Sequence, residues 1–325
     1  MDWRDGAVIG LASILGLASW TLPEVRWPNF AGRLARYRIK RRMPLSEAEL
    51  ALIRIITGDQ PVSWIEKDYW PEALAEKYLS WMYILACHRP GGRRLKTLLI
   101  GGENVDKALE AGRGAVLFTA TFIHKDLMAK AAFAQAGYEI CHLSRDTHGF
   151  SETRFGKRWL NPVYTRIEER YLRERMVFSG SNTRDVSTRL RQRLSENAPV
   201  MITVTPLGRR VAVLPFLHGR IHIASGGLSI ASESQAPVLP VFTVGKHEGV
   251  MTTIVGPALD QPEGADRRTK IDAMLRDYVP RLEDHVRHNP TQFSFPLSDQ
   301  FGKALISPAA VKAESARPDD RRSVA

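Results

Sequence analysis

Residues 115–121 read Ala-Val-Leu-Phe-Thr-Ala-Thr, a near-continuous apolar run that follows Gly112 and Gly114. A strand with apolar side chains on both faces has to be covered on both. Parallel strands in the middle of an α/β sheet meet that condition. The next segment, 126–135, places Leu127, Met128, Ala131, Ala132 and Phe133 at helical spacing, and Gly137 supplies the stop. Short apolar runs at 95–100, 138–143, 199–205 and 238–244 alternate with helical stretches at 104–111, 162–176 and 185–195. Residues 43–90 read as helical. Ser46 and Glu49 open the first helix there, and Pro90-Gly91-Gly92 closes a second over 71–87. This order predicts an α/β fold, a mixed or parallel central sheet flanked by helices.

The N-terminus has a different character. Residues 6–22 carry no charge and would make about 25 Å of helix, slightly short of a ~30 Å hydrocarbon core. Arg26, Arg33, Arg36, Arg38, Lys40, Arg41 and Arg42 follow, opposed only by Glu24. An apolar stretch ahead of a basic block predicts a membrane-associated helix with the rest of the chain on the cytoplasmic side. The charges before it, Asp2, Arg4 and Asp5, are not net positive, unlike a cleaved signal. A true span, an interfacial helix and a helix buried in the domain all stay open. Three segments result: a hydrophobic anchor with its basic block at 1–42, an α/β domain at 43–303, and a disordered tail at 304–325. The net charge of +11 calls for an anionic partner, and two cysteines exclude a disulfide framework.

The chemistry candidates gather where the apolar strand meets its helix. Thr121, His124, Lys125 and Asp126 stand at that junction. The carboxyl end of a strand beside a helix start is where α/β folds place ligands, and the helix start favours a carboxylate such as Asp126. A capping role for Asp126 and a solvated His124 are the plainer alternative. No phosphate-binding glycine loop and no Gly-x-Ser-x-Gly elbow occurs. His218 and His222 have no cysteine or acid beside them, so no metal site is read. No nucleic-acid module is present.

The stretch 112–138 resembles the lysophospholipid acyltransferase superfamily, in particular the bacterial late (lauroyl/myristoyl) acyltransferases of lipid A biosynthesis. Gly112-Arg113-Gly114, Thr119-Ala120, Phe122 and Gly137-Tyr138 stand in the family's places. Further matches follow in order: Leu143-Ser144-Arg145, then Arg210 to Phe216 with Ala224-Ser225-Gly226-Gly227. Ala236 to Phe242 and His288 to Phe293 complete the series. The resemblance implies a glycerolipid-acyltransferase-like α/β fold and transfer of a fatty acyl group to a hydroxyl or amine of a lipid or glycolipid. The donor would be acyl carrier protein or acyl-CoA, the acceptor an anionic lipid or glycolipid such as lipid A, and the place the cytoplasmic face of the bacterial inner membrane. No cofactor and no metal are implied.

The family's His-x4-acid motif uses the His as base and the acid to orient it. Here Asp126 holds the acid position and Thr121 the His position. The catalytic candidates are therefore Asp126, with His124 as a displaced base, and Thr121 as an acyl-accepting nucleophile. His142, His148, His218 and His222 are further possible bases. Thr203 to Pro206 also lacks the family's Asp. Arg145 matches a family arginine, and its guanidinium suits a phosphate; Arg145, Arg210 and Gly226 are the substrate-binding candidates. The basic stretch 154–193 offers a face to an acidic carrier protein or an anionic membrane. The alternative function is a catalytically inactive lipid-binding or regulatory protein on the same fold.

Overall fold

The computed structural model describes residues 2–41, 44–179, 182–245, 249–294 and 304–306. Its strands are β1 (Thr97–Ile100), β2 (Ala115–Thr119), β3 (Cys141–Arg145), β4 (Glu174–Phe178), β5 (Pro199–Thr203), β6 (Val211–Phe216), β7 (Gly219–Ala224), β8 (Val238–Gly245), β9 (Met251–Val255) and β10 (Leu305–Ile306). Seven of them form one mixed sheet in the order β1-β9-β8-β2-β5-β3-β4. The strands from β8 to β4 run parallel, and β9 turns antiparallel against β8. The β6–β7 hairpin and β10 make a second, small antiparallel sheet.

The apolar run of β2 has the expected cause. All five of its residues are buried. Ala115 and Leu117 pack with Ala129, Phe133, Met201 and Val241 on one face. Val116 and Phe118 pack with Leu190, Leu228 and Tyr278 on the other. Gly114 sits at φ 65°, and a Cβ there would lie 2.9 Å from the Leu194 backbone and 2.7 Å from the Ala198 carbonyl. Only glycine fits that entry into the strand.

The helices start with α1 (Trp3–Thr21), α2 (Trp27–Lys40) and α3 (Glu47–Thr57), the last opened by the Ser46–Glu49 capping box. Then come α4 (Val62–Trp64), α5 (Trp70–Ala86), α6 (Gly102–Glu110), α7 (Lys130–Gln135) and α8 (Asn161–Glu169). The series ends with α9 (Thr183–Ser195), α10 (Gly226–Ser234) and α11 (Arg267–His288). Single π-helical turns at Ile65–Tyr69, Lys125–Ala129 and Gly156–Leu160 lead into α5, α7 and α8. Such turns hold one extra residue and recur at functional sites.

The N-terminal helices are packed into the domain. Leu15 and Ala18 of α1 and Trp27, Ala31 and Ala35 of α2 join Tyr78, Met82 and Tyr83 of α5 in one buried cluster. That cluster continues into Leu127, Met128 and Ala131, and on to Tyr164 and Ile167 of α8. Asp5, in the first turn of α1, is buried and accepts from the hydroxyls of Ser151 (2.8 Å) and Thr153 (2.7 Å). No helix among the described residues is long and apolar enough to cross a membrane.

Three local expectations change. The helix read over 162–176 stops at Glu169, and Glu174–Phe178 is the edge strand β4, whose charged Glu174 and Arg175 disguise it. Charge on an edge strand discourages pairing with another chain, which accounts for the disguise. Strand β9, short and unread from the sequence, inserts beside β8. Residues 304–306 belong to the fold rather than to a tail, since Ala304 and Leu305 are buried and Leu305–Ile306 pairs with β7. The rest of the segment read as a tail, 307–325, lies outside the described residues.

Candidate active site

The strand β2 delivers Thr121 to the carboxyl end of the sheet and locks it there. The Thr121 hydroxyl donates to the Val204 carbonyl at 2.8 Å. Its own carbonyl accepts from the Ser294 backbone N–H (3.0 Å) and hydroxyl (2.8 Å). The side chain is buried, and no described histidine bonds to it. The geometry of an activated hydroxyl nucleophile is therefore missing at Thr121.

His124 and Asp126, expected to act together, turn to different partners. Residues two apart on a helical turn do not face one another. His124 Nε2 lies 2.6 Å from Glu76 Oε2 on α5, and Tyr83 meets the ring edge-on. The His124 side chain has no exposed surface, and its Nδ1 is buried without a partner. The crevice above it, between Ser80, Tyr83, Met128 and Tyr164, offers about 10 Å³, room for about one water. Glu76, 48 residues away in sequence, gave no spacing signal.

Asp126 belongs to a second cluster, built by two facing helices. Asp126 and Lys130 stand four residues apart on the turn leading through α7. Tyr164 and Glu168 stand four apart on α8, so each pair shares a helix face. Asp126 lies 2.5 Å from Lys125 Nζ, and Tyr164 donates its hydroxyl to the other oxygen at 3.4 Å. Lys130 and Glu168 are completely buried, with Nζ 2.9 Å from Oε2. The contact is ionic, since Nζ lacks hydrogen-bond geometry there. His148 donates Nε2–H to the same Glu168 oxygen at 2.8 Å. The turn that carries His148 is closed by its own N–H to the Arg145 carbonyl at 3.1 Å. Beneath them His142 of β3 is buried, with Nδ1 unpartnered.

The electrostatics follow from that burial. Desolvation opposes ionisation of Asp126, but Lys125, His148 and Lys130 together outweigh it and hold its carboxyl well below the usual carboxylate range. Burial and the Lys130 charge hold His142 well below the usual histidine range, so it is neutral. Burial and the Asp126 charge push the Tyr164 phenol far up, leaving it a fixed donor. Asp126, His148 and Glu168 bring one ligand atom each within 4.8 Å of one another, a spacing that suits a divalent cation. Lys125 and Lys130 already supply two positive charges to the two carboxylates, so the donor set is balanced by ammonium groups.

Sequence reasoning missed Lys130, Tyr164 and Glu168. Lys130 was signalled as a lone charge among Ala131, Ala132 and Phe133, whereas Tyr164 and Glu168 share their helix face with Asn161 and Thr165 and gave no such signal. Arg145 ends β3 on the surface, one turn before His148. Arg210 is exposed, and its carbonyl accepts from Ser225 N–H at 3.0 Å, directly before Gly226 opens α10. Among the described residues no hydrogen bond or ion pair links Arg210 or Gly226 to the Asp126 cluster. Much of the basic stretch is neutralised at home. Arg173, Arg175, Arg189, Arg191 and Arg193 pair with Glu196, Glu169, Glu174 and Glu233.

Three comparisons with known proteins bear on this site. No curated protein matches the sequence. Among solved structures, the 1-acyl-sn-glycerophosphate (LPA) acyltransferase PlsC from Thermotoga maritima aligns at 15% identity and a TM-score of 0.37. That alignment covers 80% of this chain and 97% of that one. The family model of the bacterial lipid A biosynthesis acyltransferases matches residues 89–301, from the end of α5 through β2, the Asp126 cluster and α11. With that match over more than half its length, the chain belongs to the bacterial lipid A biosynthesis acyltransferase family and is an acyltransferase.

Proposed function

We propose that the protein moves a fatty acyl group from an acyl thioester to a hydroxyl or amine of an anionic lipid or glycolipid, at the cytoplasmic face of a bacterial inner membrane. The thioester would be carried by acyl carrier protein or coenzyme A, and a lipid A-like glycolipid is the acceptor the family suggests. The observation that carries this reading is the charged cluster around Asp126, at the motif's acid position on the carboxyl side of β2. A buried set of carboxylates, ammonium groups and a histidine is costly to fold and suits proton transfer.

Membrane contact is supported by the surface of α1. Trp3, Ala7, Gly10, Ile14, Leu17 and Trp20 are exposed at spacings of three and four, one outward stripe. The following helix exposes Arg33, Arg36 and Lys40, and Arg41 at its end is exposed as well. An apolar stripe with neighbouring arginines suits an interfacial helix on an anionic surface, at roughly 1 kcal/mol per basic residue near the lipid. Arg145, next to the His148 turn, suits the acceptor's phosphate.

The test is acyl transfer by purified, detergent-solubilised protein. A panel of acyl-carrier-protein and acyl-CoA thioesters serves as donor and membrane lipid extract as acceptor, with products read by mass spectrometry. A new acylated lipid, lost in Asp126→Asn, is expected. Lipid binding without transfer from any donor would make the protein a non-catalytic lipid-binding member of the fold.

A further inference from the structure

We propose that His148, oriented by Glu168, is the general base that replaces the histidine missing at position 121; this rests on the acyl-transfer reading above. Three histidines, His124, His142 and His148, lie around Asp126, and geometry separates them. His124 has no exposed side-chain surface and is bonded to Glu76. His142 lies under α7 and α8, buried to 2% exposure. His148 alone of the three keeps an accessible ring, at 18% side-chain exposure. An acceptor hydroxyl has to touch the base it gives its proton to.

The rest of the cluster gives His148 what a base needs. With Nε2–H bound to Glu168, no described residue bonds Nδ1, which is left to take a proton. Glu168 is held in turn by the buried Lys130, a three-member chain of fixed geometry. Tyr164 meets the His148 ring edge-on at 5.2 Å and limits its rotation. Asp126 lies within the same 4.8 Å group and carries a negative charge that the imidazolium would meet. The acid at the motif's acid position thereby serves a histidine carried on the turn after β3.

The step balances without any further reagent. Nδ1 takes the acceptor's hydroxyl proton as that oxygen bonds to the thioester carbonyl carbon. The tetrahedral adduct then breaks its C–S bond, and the imidazolium returns the proton to the departing thiolate. The products are an ester and a free thiol, with His148 neutral again. Glu168, Lys130 and Tyr164 are positioning residues in this scheme.

The experiment is the transfer assay on the full chain, with His148→Ala, His148→Gln, His124→Ala and Glu168→Gln beside the wild type, each checked for folding by its melting curve. His148→Ala and His148→Gln should both lose about 10²–10⁴-fold in kcat. The Gln variant keeps a donor for Glu168, so its loss reports the base and not the packing. Glu168→Gln should lower kcat with KM little changed and move the acid limb of the rate profile to lower pH. Transfer retained within tenfold in folded His148→Gln overturns the assignment and leaves the acyltransferase reading standing, as does loss confined to His124→Ala. Absence of transfer in the wild type with every donor overturns both.

Discussion

The pair Lys130–Glu168 carries a prediction that can be worked from the structure. Both side chains are completely buried, and the ammonium lies 2.9 Å from Glu168 Oε2 while Oε1 has no partner. Lys130→Met keeps the length and removes the charge. Glu168 is then a buried carboxylate facing only the partly exposed His148. Breaking a buried pair from one side costs about 3–5 kcal/mol, because the remaining charge stays desolvated. At about 2.1 cal/mol/K per residue over 325 residues, the unfolding entropy is roughly 0.7 kcal/mol/K, so the midpoint should fall by about 4–7 °C. The double variant Lys130→Met/Glu168→Gln removes both charges and should recover more than half of that loss. Thermal unfolding followed by circular dichroism, in one detergent and at one pH, measures Lys130→Met, Glu168→Gln and the double variant. A single variant within about 1 °C of the wild type would refute the argument. So would a double variant whose loss is the sum of the two singles.

Two further outcomes follow from side chains that the chemistry does not use. Thr121→Val leaves the buried Val204 carbonyl without its donor and should cost about 1–3 kcal/mol in denaturant unfolding, with transfer per folded molecule changed by less than a few-fold; a hundredfold loss of transfer would return Thr121 to the chemistry. His142 is held neutral in the fold but takes a proton near pH 6.5 when unfolded, so the unfolded state binds the extra proton below that pH. Stability should therefore fall as pH drops below about 6.5, by up to about 1.4 kcal/mol per pH unit, and be flat above it for this group. His142→Gln should remove that slope, and an unchanged slope would show that another group sets it.

The sheet was legible because its strands are covered on both faces. The runs at 115–121, 199–205 and 238–244 became β2, β5 and β8, neighbours at the centre, where continuous apolar sequence is required. The edges were harder to read. Strand β4 hides behind Glu174 and Arg175, and its register beside β3 depends on a partner distant in sequence. The site was half legible. Asp126 stood out because a strand runs straight into its helix, and the resemblance gave it a role. Its partners come from α8 and from the turn after β3, and no local pattern ties 126 to 148 or 168. His124 was the natural choice by proximity, but two residues of helical turn carry it round to Glu76. The N-terminal helix was found from composition. Its Asp5 anchor could not be, because the hydroxyls it binds are some 146 to 148 positions away.

That aspartate has a mechanical consequence. The segment it grips, at Ser151 and Thr153, begins three residues after His148, and Ser151 is itself tied to the side chain of Asn161, the first residue of α8. On the interfacial reading proposed above, a push from the lipid on α1 would reach this segment through Asp5, and the rest of the domain through the packing of α1 on α5. The turn bearing His148 is the first thing downstream of it. Docking on a surface would thus brace the turn like a splint, and lifting α1 off the surface would slacken it without unfolding the sheet.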